Sequence, residues 1–281
     1  FISCGKKERA DGYGNFEATE ITVSAEANGK IEFLDLEEGV MLEKKQNVGL
    51  IDTTQLYLSK LQAQASLKTI ESKSGNVLSQ IAVLKEELKT ARSEKERIQN
   101  MFTENASTQR QVDQTVGKVN VLNQQIKSVR TQNAPIVNEV QSVEVQIDKI
   151  EDQIQKSKII NPVKGTVLAK YAERGEITAF GKPLYKIADL SKMTLRVYIG
   201  ETQLPQIKIG QKVTVKIDME DGMKAYQGSI SWISSSAEFT PKIIQTKEER
   251  VNLVYAVKII VQNDGSLKIG MPAEMWIKNT E

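Results

Sequence analysis

The chain has 281 residues, 38 Lys plus Arg against 36 Asp plus Glu, no His, one Cys and 5% aromatic residues, a length that accommodates two or three modules. A net charge of +2, with no Arg-rich stripe interleaved with stacking aromatics, argues against a nucleic-acid partner. Without His the commonest general base and metal ligand are missing, and one Cys cannot build a thiolate site, so neither an enzyme nor a metal or cofactor centre is expected.

In chain order, the first feature is Phe-Ile-Ser-Cys4-Gly. An apolar pair, a small residue and Cys is what remains of a bacterial lipoprotein signal, whose Cys carries lipid as the mature N-terminus. A free thiol in a disordered leader is the competing reading. The polar, glycine-containing stretch Lys6 to Asn15 reads as a flexible tether, and residues 1–20 as leader plus tether. No run of 18 apolar residues follows, so no membrane-spanning helix is predicted.

Residues 29–52 and 165–188 then form two gapless copies of one pattern. Gly29 matches Gly165, Ile31 matches Val167, Glu37 matches Glu173, Gly39 matches Gly175, Val48 matches Leu184 and Ile51 matches Ile187, all at one offset. Two copies of a supersecondary unit, each too small to bury its own core, are expected to fold together. The segment between them must leave that domain and return.

That segment is a heptad pattern. Leu67, Ile70, Ser74, Val77, Ile81, Leu84, Leu88, Ala91, Lys95, Ile98 and Phe102 keep a 3-4 alternation, and so does the run from Val112 through Val119, Leu122, Ile126, Asn133 and Ile147 to Ile154. Each is the seam of a coiled coil. Thr-Glu-Asn-Ala-Ser at 103–107 interrupts the spacing with turn and N-cap formers, which predicts an antiparallel hairpin with its tip there. Arms of this length give a rod on the order of 70 Å. In this register Lys95 faces the level of Thr115, and Ser74 falls near Asn133. Such polar seam residues either fix register at some loss of stability or are tolerated where water reaches. Pro135 lacks a backbone donor and predicts a kink. Carboxylate pairs such as Glu86 with Glu87 read as solvated charge, and the glycines sit at isolated turns rather than in a phosphate loop.

These motifs together resemble a known family. Ala25-Glu-Ala-Asn-Gly29-Lys-Ile31, Glu37-Glu-Gly39 and Ile51-Asp52, then a hairpin, then Asn161-Pro-Val-Lys-Gly165-Thr-Val167, Arg174-Gly175-Glu176 and Gly181-Lys-Pro-Leu184 resemble the periplasmic adaptor subunits of bacterial exporters. These are the membrane fusion proteins of the HlyD, MacA and AcrA kind. The resemblance continues through Ile209-Gly-Gln-Lys-Val-Thr-Val215, Tyr226-Gln-Gly-Ser-Ile230 and Leu267-Lys-Ile-Gly-Met-Pro-Ala-Glu274, and so covers the chain from about residue 17.

The resemblance implies a multidomain α+β chain. Residues 21–56 plus 157–189 are expected to form a split lipoyl-like β-sandwich, with Gly29, Gly39, Gly165 and Gly175 at its turns. Residues 57–156 would be the inserted antiparallel helical hairpin and residues 190–281 a small antiparallel β-barrel, with Glu201 to Ile207 as its short helix. The further membrane-proximal domain that many relatives build from both chain ends is expected to be absent or rudimentary.

Relatives that dock onto a TolC-like outer-membrane channel show Arg, three residues, Leu, six residues, Ser around the tip. Arg97, Met101 and Thr108 stand here at the same spacing. Met keeps a flexible apolar knob, Thr the hydroxyl and Arg a planar fork of donors. The competing reading makes these ordinary helix-end residues, with Thr108 an N-cap. By resemblance the chain is an adaptor of a tripartite exporter in the periplasm of a Gram-negative bacterium, lipid-anchored to the inner membrane, with several copies, six in most relatives, ringing a duct. An ABC transporter is the favoured inner-membrane partner, from the long hairpin, the anchor and the missing domain. A resistance-nodulation-division proton-driven pump is the alternative, and a passive coiled-coil envelope scaffold a further one. A lipoyl or biotin carrier is disfavoured, because the turn that would hold its modifiable Lys is replaced by the hairpin.

Overall fold

The computed structural model describes residues 9–220, 222–239 and 253–277. The chain forms two compact units, one spanning Ile51–Lys158 and the other combining the segments on either side of it. In chain order the strands up to the insertion are β1 (Gly12–Glu17), β2 (Glu20–Ser24), β3 (Gly29–Leu34), β4 (Met41–Leu42) and β5 (Asn47–Ile51). After it come β6 (Lys158–Ile160), β7 (Gly165–Lys170), β8 (Ile177–Thr178), β9 (Pro183–Ala188), β10 (Lys192–Gly200), β11 (Lys212–Met219), β12 (Gly222–Ile233), β13 (Glu238–Phe239), β14 (Leu253–Gln262) and β15 (Pro272–Trp276).

The repeated segments build the split sandwich by exchanging strands. One sheet has the order β2-β9-β7-β4 and the other β6-β5-β3-β8, so each holds strands from both copies. The hydrogen bonds repeat at the sequence offset. The Gly39 N–H donates to the Val167 carbonyl and the Gly175 N–H to that of Ile31, both at 2.8 Å. Lys45 donates to Asn161 and Gly181 donates to Ala25, again both at 2.8 Å. Gly39 and Gly175 have φ of 86° and 90°, the left-handed region that glycine occupies without penalty. At Gly165 a Cβ would stand 2.5 Å from the Ala188 carbonyl oxygen, so that glycine serves close strand approach. Ile31, Val48, Ile51, Leu184, Tyr185 and Ile187 are fully buried.

The second β-domain is a closed ring of six strands. The order is β10-β1-β15-β11-β12-β14, with β14 returning to β10 and β13 added to its edge. Period-2 alternation fills the interior with Met193, Leu195, Val197 and Ile199 from β10, Val213 and Val215 from β11, and Val257, Ile259 and Val261 from β14. A 3-10 helix at Glu201–Gln206 follows β10, where a short helix is expected.

One expectation is overturned here. The predicted tether is in part β1, an inner strand of this barrel, paired in register with β10 (Phe16 opposite Leu195) and with β15 (Gly14 opposite Ala273). Phe16 is fully buried in the core. The inward position Gly12 and the neighbouring Gly14 look like linker residues, but a Cβ on Gly14 would clash with the Arg196 carbonyl oxygen. The sandwich and hairpin also divide earlier than expected, because residues 54–56 already belong to the first helix.

The inserted unit consists of α1 (Thr54–Thr103) and α2 (Gln109–Lys156). Its core has two stretches. Ile81, Leu88 and Ala91 pack with Val119, Leu122 and Ile126 toward the tip, and Ala63 packs with Ile147 and Ile150 toward the roots. The seam reaches further back than its first predicted residue, through Ala63 to Leu56. The Ser74 hydroxyl donates to Asn133 Oδ1 at 2.9 Å across the seam, as the register requires. The helix runs on through Pro135.

Candidate docking tip of the helical hairpin

The tip is a tight turn closed by local hydrogen bonds. After α1 ends, the Ala106 N–H donates to the Met101 carbonyl at 2.8 Å and the Asn105 N–H to that of Phe102 at 3.1 Å. Asn105 takes φ of 58°, which Asn tolerates better than most residues. The Ser107 hydroxyl reaches the Ile98 carbonyl at 3.2 Å. Thr108 starts α2 with a capping box: the Gln111 N–H donates to Thr108 Oγ1 at 3.4 Å, and the Thr108 N–H donates to Gln111 Oε1 at 2.8 Å.

The three tip residues occupy different environments. Met101 is half-buried at the end of α1, and Thr108 is the cap of α2. Arg97 instead turns back along α1, donating from Nε and Nη2 to the two oxygens of Glu94 at 3.0 and 2.7 Å. The hydrogen bond to Glu94 holds its pKa above the usual arginine range, and the same bond depresses the Glu94 carboxyl, helped by the charges of Arg97 and Lys118. Two-thirds of the Arg97 side chain is exposed, so its fork is within reach of a partner that competes with Glu94. Phe102 departs from its expected seam position and is 40% exposed, because α1 ends one residue later and the helices part. It places an apolar ring beside Met101 that the heptad pattern had assigned to the core. Cys4, the expected lipid site, lies outside the described residues. Among the described residues no helix is long and apolar enough to cross a membrane.

This arrangement, a strand-exchanged sandwich with a coiled-coil insertion followed by a closed six-stranded barrel, is the fold of the membrane fusion or periplasmic adaptor proteins. Similar solved structures include MacA from Actinobacillus actinomycetemcomitans, with a TM-score of 0.61 and 22% identity over 94% of this chain and 76% of that one. The membrane fusion protein Spr0693 from Streptococcus pneumoniae R6 gives a TM-score of 0.55 and 18% identity over 96% and 98% of the two chains. Among sequence relatives, a UPF0194 membrane protein of Enterobacter sp. strain 638 is 25% identical over 298 residues, covering 96% of this chain and 88% of its own. Another from Yersinia pseudotuberculosis is 26% identical over 296 residues, covering 92% and 87%. No family model matches the sequence.

Proposed function

We propose that this chain is the periplasmic adaptor subunit of a tripartite exporter. It links an inner-membrane transporter, of the ABC type, to a TolC-like outer-membrane channel, and several copies arranged as a ring form part of the export duct. The observation that carries the reading is a hairpin of 50- and 48-residue helices inserted into an adaptor fold. A two-helix rod has little core per residue, so a projection of this length adds reach rather than stability. A single tip contact is small, and binding strength comes from several tips engaging one channel together.

In this reading Arg97, Met101 and Thr108 are the channel-docking residues and Cys4 carries the lipid that holds the chain on the inner membrane. The test is purification of the lipidated protein from its native envelope after mild cross-linking, followed by identification of what comes with it. Co-recovery of a transporter and a channel supports the proposal. Recovery of neither overturns it.

A further inference from the structure

The two ends of the barrel differ. Neighbouring strands run antiparallel, with Tyr13 opposite both Tyr198 and Glu274 and with Thr214 opposite Trp276. This register sets the start of β1, the end of β10, the start of β11 and the end of β15 at one end of the barrel. The connections from β1 to β2 and from β9 to β10 leave from the other end and run into the sandwich. The first end is capped by the 3-10 helix at Glu201–Gln206: Leu204 and Ile207 pack on the barrel core, and Gln203 Nε2 donates to the Asp11 carbonyl at 2.7 Å.

The capped end carries an amphipathic rim. Phe16, Val197, Val215 and Met275 face the core, so strand alternation turns Tyr13, Tyr198, Lys216 and Trp276 outward. Tyr13 is 57% exposed, and Ile209, on the turn between the 3-10 helix and β11, is 67% exposed. The Ile209 turn lies beside β12, where the Gly210 N–H donates to the Ile230 carbonyl at 2.8 Å, and β1 is two strands away from β11, so the apolar groups are spread around the rim. Trp276 is half-buried, with Lys216 Nζ 4.1 Å from its ring centroid and its indole N–H donating to Glu274 Oε2 at 3.1 Å. Lys208 and Lys212 are exposed on either side of Ile209, and Glu201 is exposed at the same end. Aromatic rings with one wet edge, and lysine stems laid along apolar surface, suit the headgroup layer of a bilayer. A protein partner would require a continuous core with few charges, whereas here charges separate the apolar groups.

The chain length points to the same occupant. From Cys4 to Gly12 there are eight residue steps, which span at most about 28 Å, and Gly12 opens β1 at the capped end. We propose that the capped end of the barrel docks on the bilayer that holds Cys4, with Ile209, Tyr13 and Trp276 in the headgroup layer; this rests on the reading of Cys4 as the lipid-bearing residue. A lipid alone bounds the distance between barrel and membrane and leaves the barrel free to pivot. A second contact, spread over several side chains of the rim, fixes its tilt.

The test uses the full chain, whose single Cys is coupled to vesicles of phosphatidylethanolamine and phosphatidylglycerol through a maleimide-bearing lipid, so that the anchor does not depend on cellular lipidation. Trp232→Phe leaves Trp276 as the only tryptophan, and brominated acyl chains in the vesicle should quench its fluorescence. Ile209→Ser and Tyr13→Ser, both at mostly exposed positions, should together abolish the quenching without changing thermal unfolding. Met219→Ser, at the opposite end and 53% exposed, should leave it unchanged. Amide exchange over residues 207–211 should slow on the vesicles. Unquenched Trp276 on a tethered chain overturns the docking while leaving the lipid reading intact, and so does quenching indifferent to Ile209→Ser and Tyr13→Ser. Protection of 207–211 only when a transporter is co-purified assigns this end to a protein and also overturns it. Mass spectrometry of the protein from its native envelope reads the other premise: an unmodified Cys4 removes the anchor, and the docking proposal falls with the lipid reading.

Discussion

Asn161 ties the two copies of the repeat together, and its truncation should be among the most damaging single changes in the sandwich. Its side chain is fully buried. Nδ2 donates to the Glu43 carbonyl at 2.8 Å and the Val163 carbonyl at 2.6 Å, while Oδ1 accepts from the Tyr185 hydroxyl at 3.1 Å. Asn161→Ala removes all three bonds but keeps the backbone bonds to Lys45 and Gln46. At about 1 kcal/mol net per bond the loss is about 3 kcal/mol, and stranding the buried Tyr185 hydroxyl raises it to roughly 3–5 kcal/mol. That corresponds to a fall in Tm of about 6–20 °C. The assay is calorimetry combined with hydrogen exchange, which should show faster exchange in β3, β5, β7 and β9 while the hairpin helices serve as an internal reference. Tyr185→Phe should cost only about 1 kcal/mol, and the double variant should lose less than the sum of the two. A loss below about 1 kcal/mol for Asn161→Ala, or strict additivity with Tyr185→Phe, would refute the network as the link between the copies.

The same tyrosine gives a pH dependence. Burial pushes the Tyr185 hydroxyl up to about 12, against about 10 when unfolded. The folded state therefore keeps the proton longer, so its stabilisation is complete below pH 10 and is lost as pH rises from about 10 to 12, on the order of 2–3 kcal/mol; urea titrations across that window should show the slope in the parent and not in Tyr185→Phe. In the hairpin, Ser74→Ala leaves Asn133 without its seam partner and should destabilise by about 1 kcal/mol, whereas replacing both with Leu should raise the hairpin's melting point. Thr108→Ala removes the capping box and should cost about 1 kcal/mol locally, read as faster amide exchange over residues 109–113. Arg97→Asp and Met101→Asp should abolish export and channel cross-linking while leaving thermal unfolding unchanged; unaltered export would reduce the tip motif to helix-end chemistry.

The parts of this fold that were legible in the sequence are those where one residue type is nearly compulsory. Gly39 and Gly175 share a backbone conformation that other residues resist, with φ of 86° and 90°, so the repeat appears as matched glycines. The next turn shows where the signal fades. Lys45 and Gly181 occupy equivalent positions, both with positive φ, of 68° and 82°, yet only one of them is glycine. The strand β1 failed for the opposite reason: its Gly14 meets a steric demand from the Arg196 backbone, and a glycine needed for closeness looks like one needed for flexibility. At the tip, heptad spacing carried Phe102 into the core although the helix there had one residue left; periodicity reports which face a residue occupies and not whether a partner helix still lies opposite.

Strand exchange was also beyond the sequence, because an offset between copies states their likeness and not which strands pair. Its consequence for the hairpin is direct. In the sheet β6-β5-β3-β8, β5 ends where the insertion begins and β6 starts where it ends, so the two chain ends are about one strand spacing, some 5 Å, apart. Two helices packed along a coiled-coil seam lie about 10 Å apart, a separation that chain ends leaving neighbouring strands can supply. A sheet that places β5 beside β6 therefore admits an antiparallel hairpin of any length that keeps its heptads in register. Lengthening both arms by one heptad at matched heights should leave the sandwich's stability unchanged, and lengthening only one should not, since that shifts Ser74 away from Asn133 and misaligns every seam layer between the insertion and the roots.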